Sequence, residues 1–98
     1  MDKVLALLGL SKKSGNIVSG EFAVKEAVRS QKARLVIVAE DASQNTRKLF
    51  TDKCLTYSVP CVFYSDKESL GKTLGAKERS SAAVLDEGLA QAILKKME

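Results

Sequence analysis

Five consecutive apolar residues, Leu35-Val36-Ile37-Val38-Ala39, constrain this chain more than any other feature. Three of them are β-branched and none is polar, the pattern of a short strand covered on both faces. A strand with no wet side needs further structure above and below it, and the flanking sequence supplies it by alternating helical and strand patterns. Asp2 to about Lys13 reads as a helix with Val4, Leu5, Leu7 and Leu8 inward and Asp2 as N-cap. Ser14-Gly15-Asn16 breaks it and Ile17-Val18 follows as a short strand. Ser19-Gly20 opens a second helix to about Ser30, with Val24, Ala27 and Val28 on its inner face. A third helix, about Gln44 to Tyr57, carries a Thr46, Leu49, Phe50, Cys54 and Tyr57 stripe.

Beyond Pro60, Cys61-Val62-Phe63-Tyr64 reads as a strand, and Ser65-Asp66-Lys67-Glu68 has the form of a capping box in which Ser65 caps a short helix to Leu74. Gly75 stops that helix. Ser81-Ala82-Ala83-Val84-Leu85 is a small-residue strand, and Asp86 caps a last helix with Leu89, Ala90, Ile93, Leu94 and Met97 inward. The order α-β-α-β-α-β-α-β-α fits a three-layer α/β/α sandwich with the Val36–Val38 run central. At 98 residues, with 45% hydrophobic and 29% charged, the chain reads as one domain spanning 1–98. A chain of this size buries about two-thirds of its unfolded surface, so one core forms without staples.

Several chemistries are excluded. There is no His, which removes the usual neutral-pH proton carrier and the commonest metal ligand. Two cysteines, Cys54 and Cys61, make neither a disulfide framework nor a zinc site and read as small core residues. The Val4–Leu10 run is too short to span a bilayer, and the cancelling charges of Asp2 and Lys3 deny it the start of a signal peptide, which implies a cytoplasmic protein with no membrane partner. Gly71-Lys72-Thr73 resembles the end of a phosphate-binding loop, but Asp66 stands where that motif needs glycine. Gly15 and Gly20 have the same spacing, yet Glu21-Phe22 replaces the required Lys-Ser/Thr. Glu40-Asp41 and Asp86-Glu87 follow strands, where active sites occur, but acidic residues there serve equally as helix caps. No catalytic set and no cofactor motif is left.

Charge points elsewhere. Residues 1–34 hold seven Lys/Arg against three Asp/Glu, whereas the rest holds nine of each, so the whole net charge of +4 sits in the first third. A localised cationic surface attracts polyanions through counterion release, which makes nucleic acid the leading partner class. Lys12 and Lys13 end the first helix, and Lys25, Arg29 and Lys32 follow i, i+4, i+7 spacing from the second. Each group alone has an ordinary explanation, as dipole complement or solvated face. Both are expected to flank the turn at Gly20, where free helix amides and a missing side chain suit a close phosphate. Phe22 either stacks on an unpaired base or packs, and a Phe in a first helical turn more often packs.

These residues carry a resemblance. Asp2–Gly20 with its Leu-Gly-Leu-Ser-Lys-Lys-Ser-Gly-Asn segment, Ala33–Asp41, Val59–Phe63 and above all Ser65–Gly75 together resemble the kink-turn-binding ribosomal proteins of the L-seven-Ae and L-thirty-e type. More narrowly the chain is similar to their small bacterial YlxQ-like branch. The resemblance implies a four-stranded mixed sheet in the three-layer sandwich. It also implies a non-catalytic, cofactor-free ribonucleoprotein component that binds structured RNA, ribosomal RNA included, at a sharply bent kink-turn. It places at the RNA the turn and start of the second helix (Gly20, Glu21, Phe22), that helix's outer face (Lys25, Arg29) and the loop before the last strand, here Lys77, Arg79, Ser80 and Ser81. Lys12 and Lys13 add phosphate contacts. The chain departs from the pattern where the family has Asn, Glu and Lys after the turn glycine: those places hold Phe22, Ala23 and Glu26. The competing reading is a protein-interaction module that keeps the fold, engaging a protein or its own copy through an exposed apolar patch. An enzyme using Glu40-Asp41 is the third.

Overall fold

Leu35–Val38 forms a strand whose four residues are all buried, as an unbroken apolar run requires. The computed structural model, which describes residues 2–98, surrounds that strand with the alternation read from the sequence. In chain order the elements are α1 (Lys3–Lys13), β1 (Ile17–Ser19), α2 (Glu21–Arg29), β2 (Leu35–Val38), α3 (Gln44–Tyr57), β3 (Cys61–Phe63), α4 (Lys67–Thr73), β4 (Ser81–Val84) and α5 (Glu87–Lys96). The sheet order is β1-β4-β2-β3, with β4 antiparallel to β1 and β2, and β2 parallel to β3. A parallel pair needs a crossover, and α3 provides it. The mixed sheet is sandwiched between α1, α4 and α5 on one face and α2 and α3 on the other.

The inner stripes are those the periodicity selects. Val4 and Leu8 of α1, Val24 and Val28 of α2, Phe50 of α3, Leu70 of α4 and Ile93 of α5 are buried against the sheet. Asp2 accepts from the amides of Val4 (2.7 Å) and Leu5 (3.1 Å), and Asp86 from that of Leu89 (2.9 Å), so both cap as expected. The start of α4 differs. Ser65 has φ 62°, which turns it away from the capping role, and Asp66 is the cap, accepting from the Ser69 amide at 2.7 Å. Asp41 also reaches this helix, taking the Lys67 amide at 2.9 Å, while Ser43 caps α3 through the Thr46 amide at 3.2 Å. Asp41 therefore serves a helix 26 residues away in sequence rather than the one it precedes.

Two contacts tie the edge strand β3 down. The Arg47 guanidinium lies over the Phe63 ring, 4.4 Å from its centre, and donates to the Glu40 carbonyl at 2.9 Å. The Tyr64 hydroxyl donates to the Asp2 carboxylate at the head of α1. That bond holds the Asp2 carboxyl below its ordinary range and pushes the Tyr64 phenol up to about 12. Among the described residues, no helix is long and apolar enough to cross a membrane.

Candidate nucleic-acid interface

One edge of the sandwich is assembled from two segments far apart in sequence. Gly20 separates β1 from α2 with φ 94°, a conformation that side chains rarely adopt, and a Cβ there would meet nothing within 4 Å. The turn is thus both glycine-dependent and open on its outer side. None of the described side chains caps α2, so its leading amides are left without a side-chain partner. The loop before β4 is laid beside this turn. Its Arg79 Nε donates to Ser19 Oγ at 2.8 Å, and the Gly20 amide donates to the Ser81 carbonyl at 3.1 Å. The loop is in turn seated on α4: the Arg79 amide donates to the Lys67 carbonyl at 3.0 Å and the Ala76 amide to that of Gly71 at 2.7 Å. Gly71 is required there, because a Cβ would lie 2.7 Å from the backbone of Lys77 and Glu78. The glycine that looked like part of a phosphate-binding loop is a packing residue.

The structure sorts the candidate side chains unequally along this edge. Lys77 is exposed, Arg79 and Ser80 are half-buried, and none of the described carboxylates pairs with Lys77 or Arg79. Ser81 differs from expectation: it is 1% exposed and its hydroxyl has no partner among the described residues, because the first position of β4 points into the sandwich. Only its carbonyl takes part, and that is used by Gly20.

Phe22 also differs. It is 79% exposed, since Val24, Ala27 and Val28 hold the inner face of α2 and Phe22 lies about 200° around the helix from Val24. The ring stands between two grooves. One is shared with Lys25, Arg29 and Lys53 of α3, the other with Val18, Ala23, Ala27 and Leu85. The α2 cations are partly compensated: Lys25 lies 3.7 Å from Glu21, and Arg29 is paired with Glu26. Lys32 is outside the helix, beyond the Ser30 C-cap and Gln31 with φ 63°, so it lines the second groove instead of extending the Lys25 and Arg29 face.

Lys12 and Lys13 do not join this cluster. β1 runs against β4, so that the Asn16 carbonyl accepts from Leu85 at one end and Gly20 meets Ser81 at the other. The two lysines leave α1 at the Asn16 end, on the sheet face opposite α2, and line a groove with Lys72 of α4 and Gly75 just past its end. The single patch expected around Gly20 is therefore two patches, divided by the sheet. Lys53 and Lys72 complete them; Lys53 escapes a sequence reading because it flanks the inner stripe of α3 without belonging to it.

Two of the candidate carboxylates serve as helix caps. Asp41 and Asp86 hold helix amides, and among the described residues no group of three or more Cys, Asp or Glu could hold a metal ion. Cys54 is buried, Cys61 is half-buried, and both are free. Hydrogen bonding with Cys61, followed by burial, pushes the Cys54 thiol up, while the bond from Cys54 lowers Cys61.

Comparison with known proteins follows this architecture closely. The model of the ribosomal protein L7Ae/L30e/S12e/Gadd45 family matches residues 2–94. Over 88 residues the chain is 41% identical to a Bacillus subtilis (strain 168) protein named RNA-binding protein YlxQ, covering 90% of this chain and 88% of that one. An Enterococcus faecium protein of the same name is 35% identical over 89 residues, 91% of this chain and 85% of its own. Among solved structures, a Bacillus halodurans C protein of unknown function superposes with a TM-score of 0.95 at 32% identity, over 99% of this chain and 98% of that one. The Giardia lamblia 15.5kD RNA binding protein shares the fold, with a TM-score of 0.81 at 24% identity over 94% and 79% of the two chains.

Proposed function

The chain belongs to the ribosomal protein L7Ae/L30e/S12e/Gadd45 family, and from that premise we propose that it is a non-catalytic, cytoplasmic RNA-binding protein. Its RNA is structured and sharply bent, of the kink-turn kind, and is held by the turn and start of α2 together with the loop before β4. The observation that carries this reading is the union of those two segments by the Arg79–Ser19 and Gly20–Ser81 hydrogen bonds. They place an uncapped helix N-terminus, an open glycine and the unpaired cations Lys77 and Arg79 along one edge.

Each part has a defined task. Gly20 lets the RNA backbone approach the amides of Glu21 and Phe22. Arg79 and Lys77 contact phosphate, with Ser80 beside them. Lys25 and Arg29 are held only by solvent-exposed intrahelical pairs, which are weak and screened by salt, so a phosphate displaces Glu21 or Glu26 at little cost. Phe22 offers a ring to an unpaired base at a place where the family carries an amide, replacing edge recognition by stacking. Phosphate contacts position the RNA and leave its sequence unread, so preference for a bent RNA over a duplex comes from shape and from Phe22.

Titration of a kink-turn RNA and of a straight duplex at several salt concentrations tests this. Affinity is expected to fall by about 0.7–0.9 log units per log unit of salt for each phosphate contact. Arg79→Glu weakens both RNAs, and Phe22→Ala removes about 1–3 kcal/mol from the bent one alone. A flat salt response, or unchanged binding by Arg79→Glu, contradicts the proposal.

A second reading, a protein-interaction module on the same fold, draws on the exposed Phe22 ring and on the pairing of Lys25 and Arg29. It requires that the purified protein carry no RNA. The chain has no Trp, so its 280 nm absorbance is low and any retained RNA dominates the 260/280 ratio.

A further inference from the structure

Helix α1 is apolar on more sides than the fold uses. Residues 4–10 contain no polar side chain, yet only Val4 and Leu8 are buried, with Leu5, Leu7 and Gly9 partly so, Gly9 beside Thr73 of α4. Ala6, Gly9 and Leu10 share a second stripe at i, i+3, i+4, which continues to Lys13 at i+7. Leu10 at its centre is 52% exposed. A helix that is apolar all round is normally covered all round. Here the second stripe floors a groove of about 520 Å³ between α1 and the end of α4.

The rim of that groove has one sign. Lys12 and Lys13 of α1 and Lys72 of α4 line it, and no carboxylate does. Lys12 and Lys13 have no ion pair among the described residues, and Lys72 has only the exposed Glu68, at 3.5 Å on its own helix. The floor offers neither an aromatic ring for a base nor a hydrogen-bonding edge beyond Thr73, and its aliphatic surface suits an apolar side chain better than a nucleotide. Small residues at Ala6 and Gly9 let another backbone come close, with Leu10 as the apolar contact.

We propose that the α1–α4 groove docks an acidic amphipathic helix of a partner protein, its apolar face on Ala6, Gly9 and Leu10 and its carboxylates on Lys12, Lys13 and Lys72. The groove lies on the sheet face opposite α2, so the proposal does not rest on the RNA reading, and partner and RNA occupy the protein together. The chain is then an adaptor, with one face for RNA and one for protein.

The probe is a synthetic peptide of about fifteen residues, with leucine at i, i+3, i+4 and i+7 and glutamate between. It is titrated into the isotope-labelled full chain and followed by amide chemical shifts. Shifts are expected at residues 6–13 and 72–75. The double reversal Lys12→Glu, Lys13→Glu should weaken binding by about tenfold or more, and Leu10→Ser by about threefold to tenfold. All three positions are exposed, and unchanged amide spectra elsewhere verify that the variants fold. A peptide with the same leucines and lysine in place of glutamate should leave the groove unmoved. The proposal is overturned if the acidic peptide moves no groove amide, if charge reversal leaves its affinity unchanged, or if the lysine peptide binds equally. It is also overturned if structured RNA displaces the peptide while shifting the same groove amides, which would give that face to RNA.

Discussion

The two faces of the sheet present positive charge in opposite manners. On α2, each cation of the turn-side helix has a carboxylate one helical turn away, and the exposed hydrophobic neighbour is an aromatic ring. On α1, Lys12 and Lys13 have no ion pair among the described residues and stand beside an aliphatic stripe. Composition weighs both sets alike. What separates them is spacing: Glu21 and Glu26 fall at i−4 from Lys25 and i−3 from Arg29, whereas no acid occupies residues 3–13. Paired, weakly held cations beside free amides suit a polyanion that can take over the carboxylates' place. Unpaired lysines around an apolar floor suit a partner that brings its own hydrophobic side.

The two faces meet at Gly71, which belongs to α4 yet seats the loop of the α2-side edge. Gly71→Val offers the sharpest break. Its Cβ would meet backbone at 2.7 Å, so the loop must lift, at a cost of about 2–3 kcal/mol in chemical denaturation. RNA affinity falls with it, because Arg79 loses its seat. Stability equal to wild type would mean that the loop is not pinned by α4. Gly20→Val is the milder counterpart, costing about 1–3 kcal/mol through its positive φ with no clash. It isolates the turn from the loop.

At the opposite end of α1, Asp2→Ala removes a cap and costs about 1 kcal/mol. Tyr64→Phe asks what pH does to the same corner. The Asp2 carboxyl is lowered in the fold, so its contribution is complete above 3.8, the unfolded value, and is lost as the pH falls below it. The Tyr64 phenol is raised from 10.0 to about 12, so its contribution is complete below 10.0 and is lost as the pH rises toward 12. The difference in Tm between wild type and Tyr64→Phe is expected to be level between those limits and to narrow outside both. A difference that does not change with pH would dissociate the two groups. The smallest effect belongs to Lys25→Ala, at most about 0.5 kcal/mol of stability. Its loss should appear in RNA affinity and leave the acidic peptide unaffected.

Much of the fold was legible because burial leaves a periodic trace. The run at Leu35–Ala39, the Val24, Ala27 and Val28 face and the caps Asp2 and Asp86 are all local patterns, and each lies where its pattern places it. The site was less legible because it depends on what meets across the sheet. Asp41 looks like a cap for the helix it precedes, and only the approach of α4 gives it Lys67 instead. Ser65 satisfies the capping-box spacing, but its φ of 62° hands the role to Asp66. Lys12 and Lys13 are near Gly20 in sequence, and the short strand β1 carries them to the other layer. Phe22 is ambiguous between stacking and packing in the sequence, and only the three aliphatic residues that outcompete it for the inner face of α2 leave its ring exposed.

Mapping RNA onto the labelled protein by amide shifts tests the division of the two faces most directly. With a kink-turn RNA, changes are expected at Ser19–Ala23 and Lys77–Ser81, with residues 6–13 and Lys72 unmoved. Changes centred on Lys12, Lys13 and Lys72, or none at the Gly20 turn, would contradict that division.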